Sequence, residues 1–311
     1  MDAQAHHERV KRALPAALLA VAVTVACAMP AAAPAASPSP TIVAVATPSP
    51  TPTPSPTPVP TATPSPTPRP LPVAAEEPGA LAEQIRVAEL AIRDASVTGE
   101  ELAWMGHLQQ LAYRRLVERP EWSGAVIAAL PGQLRGAATA NYEAGAELRA
   151  LTSPREELPA WRIIEPAPAE DLMRYYREAE VEFGVPWSYL AAIHLSETRM
   201  GRIRGTSIAG AQGPMQFMPG TWAAFGEGDI NSDRDAIRAA ARYLRHNGAP
   251  GNMANALFRY NNSQRYVRAV TAYAEVMRAD TVTFRGYYHW QVYYRTTRGD
   301  VLLPVGYRRD P

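Results

Sequence analysis

Leu81, Ile85, Ala88 and Ile92 recur at alternating steps of four and three residues, the spacing that places side chains on one face of an α-helix. Leu102, Met105, Leu108, Leu111 and Leu116 repeat the pattern and predict a second helix over Glu100 to Glu118. Pro120 and the Pro131-Gly132 pair interrupt a helical region running from Glu76 to Leu151. A proline-bearing stretch, Pro154 to Pro168, reads as a boundary. The pattern then predicts a helix over Glu170 to Phe183 stopped by Gly184, and another opened by Pro186 and running to about Met200. Gly201 to Gly228 is rich in glycine and small residues and reads as loop or short irregular structure. Ser232 and Asp235 form a capping box for a helix to His246, whose buried stripe is Ile237, Ala241 and Leu244. Asn247-Gly248 ends it. Two further helices are predicted, Asn252 to Tyr260 and Gln264 to Arg278, the second capped by Ser263 and carrying Val267, Val270, Ala274 and Met277 on its apolar face. Near the end the period changes to two: Trp290 to Tyr294 and Val301 to Val305 flank Arg298-Gly299-Asp300 and predict a β-hairpin. The fold class is therefore mainly α with a small C-terminal hairpin.

The first quarter of the chain reads differently. His6, His7, Arg9, Lys11 and Arg12 precede an apolar run from Leu14 to Met29, the layout of a secretory signal. The run is short for a membrane span, which takes ~20 residues. Cys27, the only cysteine, closes a Val23-Thr24-Val25-Ala26 stretch that resembles a permissive bacterial lipobox. Its lipidation would tether the protein to the membrane. Cleavage after Ala28 or within Ala31 to Ala36, discarding Cys27, is the alternative. With one cysteine no intramolecular disulfide can form. About half of the 30 prolines fall between Pro30 and Pro72, where Thr-Pro-Ser-Pro near-repeats predict a disordered, extended linker. A net charge of +1 argues against a nucleic-acid binder.

The candidate chemistry lies on the helix after Pro186. Leu190, Ile193 and Glu197 share one face, so Glu197 ends an apolar stripe. Desolvation there would raise its pKa and let it hold a proton near neutrality, as a general acid for glycosidic cleavage must. A salt bridge to Arg199 or Arg202 is the plain structural alternative. Thirteen residues on lies Gly210-Ala211-Gln212-Gly213-Pro214-Met215-Gln216-Phe217-Met218-Pro219-Gly220-Thr221-Trp222. Its small residues permit close approach of a ligand, and Gln216 offers donors and an acceptor for sugar groups. Met215, Phe217 and Trp222 are either apolar cleft walls or ordinary core. Tyr260, in Tyr260-Asn261-Asn262-Ser263, could direct its hydroxyl at Glu197.

Taken together, Ser196-Glu197-Thr198-Arg199-Met200-Gly201-Arg202, the Gly213 to Pro219 loop and Ala256-Leu257-Phe258-Arg259-Tyr260-Asn261 resemble the lytic transglycosylases with an SLT-type catalytic domain, over about Leu172 to Met277. Asp235-Ala236-Ile237 followed by Ala240-Ala241-Arg242-Tyr243-Leu244 resembles the murein transglycosylase B branch in particular. The resemblance implies a lysozyme-like helical catalytic domain and an extracytoplasmic enzyme acting on peptidoglycan glycan strands. It implies that Glu197 is the single catalytic acid/base, forming 1,6-anhydromuramic ends. It further implies that Met215, Gln216, Phe217, Tyr260 and Asn261 bind substrate, and that no cofactor is needed. Thr198 stands where many relatives have serine. The loop before the Asp235 helix is short and lacks the ligand spacing of a calcium site, so no metal is expected, and Asp229, Asp233 and Asp235 read as turn and cap residues. The organisation expected is 1–27 signal peptide, 28–75 linker, 76–158 helical accessory region packed on its neighbour, 159–280 catalytic domain and 281–311 hairpin extension. A goose-type lysozyme-like hydrolase and an inactive peptidoglycan-binding lipoprotein are the competing readings.

Overall fold

A computed structural model describes residues 69–309; the signal, Cys27 and most of the proline-rich segment lie outside the described residues. Eleven α-helices and two small antiparallel sheets occur among them. The first four helices are α1 (Pro78–Arg93), α2 (Gly99–Glu118), α3 (Ser123–Ala129) and α4 (Gly132–Leu151). The expected stripe Leu81, Ile85, Ala88 and Ile92 is fully buried. The residues before α1 are docked against α1 and α2, although composition groups 69–75 with the linker. The Ala75 amide donates to Gln84 Oε1 (2.8 Å), and the indole of Trp104 donates to the Pro70 carbonyl (2.9 Å).

The next group comprises α5 (Ala169–Phe183), α6 (Trp187–Thr198), α7 (Pro219–Phe225), α8 (Asp233–His246), α9 (Met253–Asn261), α10 (Gln264–Ala279) and α11 (Phe284–Tyr288). Gly184 ends α5 in the left-handed region at φ 70°, as its position predicts. The Ser263 hydroxyl caps α10 by accepting from the Tyr266 amide. At α8 the capping box is half made: Ser232 Oγ accepts from the Asp235 amide, while the Asp235 carboxylate turns outward to the Asp229 amide at 3.0 Å. Helix α7 corrects the reading of Gly201 to Gly228 as irregular, since Pro219 sits in its first turn with φ already set for a helix.

One apolar core runs through both helical groups, and α4 is tied to α10 by Glu147, which bridges Arg265 (2.9 Å) and Arg268 (2.6 Å). The C-terminal hairpin is present but shifted. Its strands are β3 (Val292–Thr296) and β4 (Gly299–Leu303), because Thr296 builds the turn with its side chain: Oγ1 donates to the Gly299 carbonyl and accepts from the Arg298 amide. A two-residue pair, β1 (Arg162–Ile163) with β2 (Ile203–Arg204), joins the proline-bearing stretch to the segment after α6.

Candidate active site

Glu197 sits in the last turn of α6, a helix whose residues are nearly all buried. The helix stops there because Arg199 and Met200 both adopt positive φ, 54° and 59°, which turns the chain back before Gly201. Thr198 then ties the helix end to the glycine-rich loop: its hydroxyl donates to the Pro214 carbonyl and accepts from the Gly201 amide. The loop itself is a tight turn. Gln212 and Phe217 exchange backbone hydrogen bonds of 2.9 and 2.8 Å. Gly213 takes φ 73°, and a Cβ there would lie 2.1 Å from the Ile230 carbonyl oxygen, so only glycine fits.

The Glu197 carboxyl opens onto a cavity of about 760 Å³, within the size range of small-molecule sites. Its walls come from α2, α4, the segment before β1, the loop after β2 and the hairpin. Trp161, Tyr293 and Tyr294 give it aromatic faces. Among the described residues that line it, Glu197 is the only carboxylate. Burial raises its pKa from the ordinary 4.5 to about 7, and a hydrogen bond from Tyr266 Oη to Oε1 at 2.7 Å opposes that rise. The sequence-level alternative of a salt bridge is not realised: Arg199 donates to the Leu195 carbonyl, and Arg202 reaches Glu165 at 3.2 Å.

The other residues expected at the site take different places. Met215 and Phe217 are core, not cavity wall, because Phe217 packs edge-on to Trp222 and against Tyr260 (centroids 5.7 and 6.0 Å). Gln216 adopts φ 51° and turns its amide into its own loop, donating to the Gly213 carbonyl at 2.9 Å. Tyr260 donates to the Met215 carbonyl at 2.7 Å rather than to Glu197. It stacks parallel to Tyr266 at 6.3 Å, so it backs the ring that touches the acid. Asn261 is exposed at the end of α9. Tyr266, Arg114 and Arg149 are site residues that sequence reasoning passed over. Tyr266 continues the buried stripe of Val270, Tyr273 and Met277 at helical spacing, which is the signal that could have found it. The aspartates keep local roles: Asp229 accepts from the Asn231 amide, and Asp233 lies partly buried between His194 and Arg204, which hold its carboxyl below the usual range against the opposing pull of burial.

Residues 174–281 match the family model of the transglycosylase SLT domain. That SLT segment runs from α5 to the end of α10 and contains Glu197, the Gly213 to Pro219 loop, Tyr260 and Tyr266. The cavity walls contributed by α2, α4 and the hairpin lie outside it. Neither a curated protein nor a solved structure matches the chain.

Proposed function

We propose that this protein is a peptidoglycan lytic transglycosylase in which Glu197 is the sole acid/base. One observation carries the reading: a carboxyl group whose pKa lies near 7 sits in an aromatic-walled cavity lined, among the described residues, by no second carboxylate. Near neutrality a large fraction of Glu197 is protonated and can donate to the oxygen bridging N-acetylmuramic acid and N-acetylglucosamine as the C1–O bond breaks. The resulting carboxylate takes the proton of the muramic 6-hydroxyl, whose oxygen attacks C1. Glu197 is left protonated, no water is consumed, and the product end is a 1,6-anhydro ring. A hydrolase would need a second carboxylate ~5–9.5 Å away to activate water or to act as nucleophile; Asp229 and Asp233 are committed elsewhere and do not line the cavity. The branch proposed is that of murein transglycosylase B, on the Asp235 to Leu244 sequence. Met215, Phe217 and Tyr260 would set the position of Tyr266 and the loop, and Gln216, whose amide now braces that loop, and the exposed Asn261 would be substrate contacts. Export through the N-terminal signal, with Cys27 as a lipid anchor, places such an enzyme at its substrate.

The test is Glu197→Gln on purified peptidoglycan. The substitution keeps the shape and removes the proton donor, so turnover should fall by ~10² or more while glycan binding persists. Unchanged turnover rejects Glu197 as the acid.

A further inference from the structure

Five arginines, Arg114, Arg149, Arg155, Arg199 and Arg295, line the same cavity as Glu197. Four of them come from outside the SLT segment: Arg114 from α2, Arg149 from α4, Arg155 from the stretch after α4 and Arg295 from β3. Their charges are only partly answered. Asp300 takes both Arg114 and Arg149, the latter at 2.9 Å, and Glu118 lies 3.4 Å from Arg149. Among the described residues no carboxylate pairs with Arg155, Arg199 or Arg295. Arg295 spends one guanidinium nitrogen on the carbonyls of Arg149 and Thr152 (3.0 and 2.7 Å). Arg199 is held by the Leu195 carbonyl. Burial lowers the Arg199 pKa, and the nearby Arg114 lowers it further, so the cavity gathers like charges against their mutual repulsion. A wall of guanidinium groups whose charge is only partly answered favours an anion, and the planar fork of arginine matches a carboxylate in particular.

We infer that this cavity recognises carboxylates carried by the glycan, so that the enzyme selects strands bearing acidic substituents over neutral ones. The inference rests on the proposed transglycosylase reading for the identity of the glycan. The carboxylates could belong to peptide stems attached to the muramic lactyl group, or to the bare lactyl groups of stripped strands. Both present the same chemistry to the arginines. The aromatic faces of Trp161 and Tyr294 hold the sugars while the guanidinium groups take the anions, and Glu197 stands in the same space as the only acid among the described residues that line it.

The experiment measures calorimetric binding of three glycans to the full chain carrying Glu197→Gln: peptide-bearing, peptide-stripped, and peptide-bearing with every carboxyl converted to a methylamide. Tighter binding of at least one acidic glycan than of the neutral one, by about tenfold or more as charge-assisted hydrogen bonds give, supports the inference. The acidic glycan that binds more tightly identifies the source. Adding Arg155→Gln should weaken acidic binding severalfold, while Arg155→Lys should retain most of it. Arg155 is suited to this because it is exposed and lies outside the buried core. Equal affinity for acidic and neutral glycans overturns the inference. Turnover of the same glycans by the unsubstituted chain is read separately. Binding preference without cleavage would defeat the transglycosylase reading alone, and cleavage without binding preference would defeat the charge selection alone.

Discussion

Tyr266→Phe removes one hydroxyl and tests how Glu197 is tuned. The phenol donates to Glu197 Oε1 at 2.7 Å and is the one contact that lowers a pKa otherwise raised by burial. A hydrogen bond to a charged group contributes ~1.5–3 kcal/mol. The protonated acid also accepts from the phenol, by ~1 kcal/mol, so the difference between the two forms is ~1 kcal/mol or somewhat more. At ~1.4 kcal/mol per pH unit, the Glu197 pKa should rise by ~1 unit above its value near 7. Glu197 donates its proton first, so activity falls as pH rises through its pKa. In kcat/KM against pH, which reports the free enzyme, the descending limb should lie near pH 7 in the unsubstituted protein and ~1 unit higher in Tyr266→Phe. Tyr260→Phe is the control. Its hydroxyl goes to the Met215 carbonyl, so losing it should leave the limb in place. A limb that does not move in Tyr266→Phe, or that moves to lower pH, refutes the assignment of Tyr266 as the group that restrains the Glu197 pKa.

Two further outcomes follow from the same geometry. Gly213→Ala should lower stability by at least ~2 kcal/mol, combining left-handed strain with a Cβ driven onto the Ile230 carbonyl; an unchanged thermal midpoint would show that the loop is looser than described. Glu197 also links stability to pH. Its folded pKa of about 7 lies above the ordinary 4.5, so the folded state holds the proton longer than the unfolded chain. That contribution is complete below pH 4.5 and is lost as pH rises through about 7. Glu197→Gln cannot ionise, so relative to the unsubstituted protein it should gain up to ~3 kcal/mol between pH 5 and pH 8, less any screening at the cavity mouth. Urea unfolding at the two pH values measures this, and a constant gap contradicts it.

The sequence made the helices legible where stripe and cap agree. Leu81 to Ile92 in α1, Gly184 after α5 and Ser263 before α10 all behave as their spacing requires. Short elements escaped because periodicity needs length: α7 and α11 have seven and five residues. The β1–β2 pair joins two-residue pieces about forty positions apart, which no local pattern signals. The hairpin turn slipped because Arg298-Gly299-Asp300 resembles a turn, whereas the Thr296 hydroxyl moves it earlier.

The site divided in the same way. Glu197 was visible through its stripe and its motif, and Met215 and Phe217 proved to be the core that such residues form on their own. Arg114 and Arg149 look like ordinary solvated charges on amphipathic helices. Their place in the wall of the cavity that Glu197 opens onto arises only when α2 and α4 pack against the SLT segment. A buried network ties α1 to α2, and α4 to α11 just beyond that segment. Glu89 of α1 accepts from Gln109 and Tyr113 of α2 (3.0 and 2.6 Å), and Asn141 of α4 accepts from Tyr287 of α11. Polar groups this deep are costly unless satisfied, and their mutual satisfaction favours one register between the helical groups.

The central claim is that a single carboxyl performs both proton transfers without water. Mass spectrometry of the muropeptides released from purified peptidoglycan tests it most directly. Products one water lighter than hydrolytic fragments, resistant to borohydride reduction at the muramic end, are the predicted result. Reducible muramic ends would mean that water enters the reaction, and would contradict the account.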